Sequence, residues 1–100
     1  MSETSEKLKS EDKEKTKEPA KYAVVFHNDN YTTMDFVISL LVGIFNKDKD
    51  SAKDLTLQIH IAGRGVAGVY PFEIAEEKYL LVKALAEKNE QPLRVSMEEV

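Results

Sequence analysis

The sequence predicts an α+β fold: a small sandwich of three helices packed on a three-stranded antiparallel sheet, preceded by a disordered N-terminal arm. Three observations lead there. The first twenty residues are almost wholly polar and charged. Beyond them, apolar residues recur with strand or helix spacing in the order strand, helix, helix, strand, helix, strand. The joints between these runs carry Asn, Asp, Gly and Pro, the residues of turns and helix ends.

Residues 1–20 set Lys7, Lys9, Lys13, Lys15 and Lys17 against Glu3, Glu6, Glu11, Asp12, Glu14 and Glu18, with Leu8 the only sizeable aliphatic side chain after Met1. Such a segment buries too little apolar surface to offset the entropy of ordering it. The expected division is therefore an extension over 1–20 and one folded domain over 21–100.

Tyr22 to Phe26 is an apolar, strand-like run. The polar segment Asn28-Asp29-Asn30-Tyr31-Thr32 follows it. Asn and Asp tolerate left-handed backbone and bond nearby amides, so they favour a tight loop. Thr32 with Asp35 reads as a capping box for a first helix over 33–46, apolar on most sides and expected to be the central, most buried helix. Ser51 with Asp54 offers a second capping box. Residues 51–62 fit a helix through Ala52, Leu55, Ile59 and Ala62, or a strand through Leu57, Ile59 and Ile61. The start signal and the stop at Gly63 favour helix. Gly65 to Tyr70 reads as a short strand closed by Pro71. A third helix spans 72–89, with Ile74, Leu81, Val82 and Leu85 as its inner stripe and Glu73 and Lys78 on its outer face. Leu93 to Met97 is the last strand.

Composition removes several function classes. With no cysteine there is no disulfide frame, thiolate metal site or thiol nucleophile. A net charge of -4, with Arg64 and Arg94 as the only arginines, argues against nucleic-acid binding. No apolar run is long enough for a membrane, and no secretory leader is visible, so the expected location is cytoplasmic. Neither HExxH nor a phosphate-binding glycine loop occurs, and no cofactor is called for.

The strand–loop–helix over 22–45 holds acceptors in a fixed loop between rigid elements. Asn28 and Asp29 supply carbonyl and carboxylate oxygens, and a neutral His60 supplies a ring nitrogen if the second helix packs beside them. Acceptors around a small space suit an ammonium group; a phosphate needs donors. The alternative is a small acid–base or metal-dependent enzyme using Asp29 and His60, with His27 as a third ligand, although no diagnostic spacing supports it.

At these residues the chain resembles the ClpS adaptor family, the bacterial N-degron (N-end rule) adaptors of Clp AAA+ proteases. The likeness covers about residues 21–98. It is carried by Asn28-Asp29-Asn30-Tyr31-Thr32-Thr33-Met34-Asp35-Phe36-Val37, then by His60, Gly68-Val69-Tyr70, Glu73-Ile74-Ala75-Glu76, Lys78 and Pro92-Leu93. The resemblance implies an adaptor, not an enzyme. It would bind proteins beginning with Phe, Tyr, Trp or Leu and pass them to the N-terminal domain of a Clp AAA+ unfoldase, of ClpA or ClpC type, that feeds ClpP. It implies α-amine ligands at Asn28, Asp29 and His60, and a side-chain pocket at Met34, Val37, Thr56, Ile59 and Leu93. It further implies unfoldase docking through Glu73 and Lys78, hand-over by the charged arm, and a monomer without metal. Three positions depart from the family pattern: Asn30 stands for Asp, Thr33 for Pro, and Thr56 for the Met of many members.

Overall fold

The computed structural model describes residues 19–100. The expected disordered arm lies, but for Pro19 and Ala20, outside the described residues. Six elements follow: β1 (Lys21–His27), α1 (Met34–Gly43), α2 (Lys49–Ala62), β2 (Arg64–Pro71), α3 (Phe72–Lys88) and β3 (Arg94–Glu99). The sheet is antiparallel, in the order β2-β1-β3. Three helices on a three-stranded antiparallel sheet is the predicted architecture, and residues 51–62 are helical.

The most buried element is β1, and α1 is the helix with the largest buried share. Ala23, Val24, Val25 and Phe26 are all buried because β1 lies between two strands. Val24 and Phe26 enter the main core with Leu41, Phe45, Ala52, Ile59, Val82 and Val95. On the opposite face, Arg64 of β2 and Glu98 of β3 form an ion pair with N···O of 2.6 Å. These residues align with His27 and Ala23 of β1, so the pair spans the central strand above Val25. In contrast, α1 buries only Val37, Leu40 and Leu41 and leaves Val42 substantially exposed.

Helix starts moved for identifiable reasons. The N-cap of α1 is Thr33, which accepts from the Phe36 amide at 3.1 Å. Thr32 lies one residue too early, and its hydroxyl is turned back into the preceding loop, where it donates to Asp29. For α2 the cap is Asp48, whose carboxylate accepts from the Ser51 amide at 3.0 Å, so the helix begins before the Ser51–Asp54 pair. An ionised acceptor at a helix N-terminus makes the stronger cap. The first helix ends at Gly43, and Asn46, expected in its last turn, takes positive φ instead. Gly63 ends α2 at φ 93°, as a left-handed C-cap.

The inner stripe of α3 also differs. Ala75, Val82 and Ala86 are buried, while Ile74 and Leu81 remain 44% and 46% exposed. The small alanines let the helix backbone approach the sheet, and the larger residues flank the contact. Similarly, Gly65 lets α2 close on β2. A Cβ there would stand 2.7 Å from Cγ1 of Ile59.

Candidate functional site

Where β1 ends, the chain turns sharply through Asn28–Thr33. Asp29 organises this turn. One carboxylate oxygen accepts from the Tyr31 and Thr32 amides, both at 2.7 Å, and the other accepts from the Thr32 hydroxyl at 2.7 Å. Burial alone would raise the Asp29 pKa. The Thr32 hydroxyl, with the amides of Thr32 and Tyr31, outweighs it and holds the carboxyl below its ordinary value. Two long-range bonds fix the loop in the fold. The Asn28 amide donates to the Gly63 carbonyl at 2.9 Å, which joins the loop to the end of α2. The Thr33 amide donates to Oε1 of Gln91 at 3.1 Å, which joins it to the segment before β3.

These ties enclose a cavity of about 200 Å³. Its polar side is made by Asn28, Asp29 and His60, together with His27, Asn30 and Thr32. Its apolar side is made by Met34, Val37, Ile59 and Leu93, with Phe26 and the buried Thr56. All eight residues singled out for amine and side-chain binding therefore border one space. They come from the first loop, α1, α2 and Leu93, the residue just before β3. Sequence reasoning did not assign Phe26, Asn30 or Thr32 to it. The alternating pattern of β1 could have placed Phe26 toward the helices.

His27 lies across from Arg64 on one side and Arg94 on the other. Its Nε2 lies 2.8 Å from the Ser96 hydroxyl. Burial, then Arg94 and Arg64, lower its pKa against an opposing pull from Glu98. Among the described residues, no group of three or more His, Asp or Glu side chains is placed to hold a metal. A carboxylate held low by three donors is also a weak proton acceptor, which counts against acid–base chemistry at Asp29.

Glu73 and Lys78 do not border this cavity. Glu73 is exposed in the first turn of α3, beside a second, more open apolar recess formed with Tyr22, Phe72 and Ile74. Lys78 contradicts the outer-face expectation. It is half-buried, and its Nζ donates to the Ile44 carbonyl at 2.8 Å. The same ammonium stands 5.2 Å from the Tyr70 ring centre and 5.8 Å from that of Phe45. It closes the C-terminal end of α1.

Fold and cavity define a small α+β domain with a recess that is polar at one side and apolar at the other. The chain belongs to the ClpS family of Clp protease adaptors: residues 17–96 match the family described as ATP-dependent Clp protease adaptor protein ClpS. It is 46% identical over 95 residues to the ClpS adapter of Myxococcus xanthus, covering 95% of this chain and 89% of that protein. It is 49% identical over 88 residues to the ClpS adapter of Clostridium acetobutylicum, covering 88% and 87%. Among solved structures, Agrobacterium tumefaciens ClpS2 bound to L-phenylalaninamide superposes with a TM-score of 0.79 at 29% identity, over 82% of this chain and 99% of that one.

Proposed function

We propose that this adaptor recognises N-degrons: a free α-amino group together with a bulky apolar first side chain, Phe, Tyr, Trp or Leu. It then delivers the substrate to the N-terminal domain of a ClpA- or ClpC-type unfoldase for degradation by ClpP. The observation that carries this reading is the division of one cavity into an acceptor-lined side and an apolar side. An N-terminal residue has the same division, with an ammonium on one carbon and a hydrocarbon side chain beside it. L-phenylalaninamide, the ligand of the Agrobacterium protein, has it too.

The three amine ligands divide the work. The loop donors occupy three of about four lone-pair positions on the Asp29 carboxylate. Asp29 therefore supplies negative charge and loop shape, and has room for one further donor. Asn28 and His60 supply the remaining acceptors. Met34, in the first turn of α1 and 43% exposed, stands at the mouth. Val37, Thr56, Ile59 and Leu93 hold the side chain. Docking falls to Glu73, with Lys78 contributing from a partly internal position. The adaptor performs no catalysis and acts as a monomer.

Hydrogen bonds to a charged group contribute about 1.5–3 kcal/mol each. Acetylating the N-terminus of a Phe-first peptide should therefore weaken binding by more than about a hundredfold. Fluorescence anisotropy with paired free and acetylated peptides measures it, and equal affinities would refute amine recognition.

A further inference from the structure

Thr56 is the only polar side chain among the described residues that is buried as deeply as the core, at 4% exposure. Around it the cavity wall is apolar, formed by Phe26, Val37, Ile59 and Leu93. Its Oγ1 donates to the Ala52 carbonyl, one helical turn back, at 2.7 Å. A threonine hydroxyl has one proton and two lone pairs. With the proton committed to Ala52, the oxygen offers the cavity acceptor capacity and no donor. Water that would otherwise meet that capacity is displaced when a large side chain fills the space.

We propose that Thr56 is a specificity-determining residue that favours first side chains ending in an N–H or O–H donor, Tyr and Trp, over Phe and Leu. This rests on the amine-and-side-chain reading above. A hydrocarbon in the cavity leaves the Thr56 lone pairs without a partner, whereas a phenol or indole donor satisfies them. Discrimination of this kind arises because a site built around a polar atom penalises the analogue that lacks the matching group.

The test is a two-by-two binding cycle: Tyr-first and Phe-first peptides with one common tail, against the unmodified protein and Thr56→Val. Valine preserves the volume, and the Ala52 carbonyl keeps its helical amide partner within α2. Thr56→Ser, which keeps the hydroxyl, is the control for packing. The Tyr-over-Phe preference should fall about two- to tenfold in Thr56→Val, the worth of one neutral hydrogen bond, and should persist in Thr56→Ser. An unchanged ratio in Thr56→Val, with free-amine Phe peptides still bound, overturns the role of Thr56 alone. Phe peptides that bind no better than their acetylated forms overturn the amine reading on which it rests.

Discussion

The two ends of α1 are closed in opposite ways. At its N-terminus most of the closing bonds are local: Thr33 caps the helix, and Asp29 holds Tyr31 and Thr32 within three residues of itself, while the Thr33 amide alone reaches out to Gln91. At its C-terminus the partner is remote, because Lys78, from another helix, reaches the carbonyl of Ile44. The local end shapes the cavity. The remote end ties α1 to α3, the helix that carries the proposed docking residues. A substitution at the first end should therefore disturb loop and ligand together, whereas one at the second should loosen the joint between helices.

The largest effect should come from Asp29→Ala. It removes the acceptor of three hydrogen bonds and the charge beside the amine site. Unfolding free energy should fall by about 2–4 kcal/mol, and affinity for Phe-first peptides should drop by more than the acetylation experiment shows. A urea titration and a binding titration on the same variant measure both. Stability loss with intact binding would break the link between loop and ligand.

Lys78 is next. Lys78→Met keeps much of the aliphatic stem but loses the bond to Ile44 and the charge over two rings, so about 1–3 kcal/mol of stability should go. Lys78→Glu should cost more, since it sets a carboxylate against the Ile44 carbonyl and the ring faces. Peptide affinity should be nearly unchanged in both. If unfoldase binding falls equally in Lys78→Met and in a Glu73 variant of undiminished stability, Lys78 contributes its charge to the partner as well as to the helix joint.

The smallest effects concern pH. Asp29 is held below its ordinary value of 3.8, so it stabilises the fold fully above that pH, and the contribution is lost as pH falls through the lowered folded-state value. His27 is likewise depressed from 6.5, so the unfolded chain takes up the proton first. Stability should therefore decline as pH drops below about 6.5, until the folded protein also protonates. Thermal melts between pH 4.5 and 7.5 should flatten slightly in His27→Gln. A variant with an unaltered pH profile would show that the Arg94–His27–Arg64 row does not couple protonation to folding.

This contrast also explains what could be read in advance. The Asn28–Asp29 loop, the Gly63 stop and the helix over 51–62 are consequences of neighbouring residues, so short-range chemistry revealed them. The true caps, Thr33 and Asp48, lie one and three residues from the expected ones: adjacent Thr32 and Thr33 have the same side chain and only backbone direction tells them apart, and the Asp48 carboxylate takes the Ser51 amide one turn before the expected start. Ala75 and Ala86 take the buried places that bulk assigns to Ile74 and Leu81, since side-chain size says nothing about how closely a helix approaches a sheet. The bond from Lys78 to Ile44 spans 34 residues and involves a backbone carbonyl, so no side-chain pattern announces it. The eight cavity residues are marked by the family resemblance more than by periodicity, because they lie on four separate segments of the chain. Packing then shows why Ile59 stands where it does, against the bare backbone of Gly65.

The sheet order β2-β1-β3 has a consequence in time. The central strand is synthesised first, and both of its partners follow. Phe26 pairs with Gly65 and with Val95, so at about 5–20 residues per second the strand waits several seconds for its second neighbour. Until β2 is made, Val24-Val25-Phe26 is an apolar β-prone run with two unsatisfied edges, and one edge stays open until β3 follows. The alternating lysines and glutamates of residues 11–18 immediately precede it in the chain. They place charge beside the segment most prone to pair with another nascent copy, which is where gatekeeping charge is most effective.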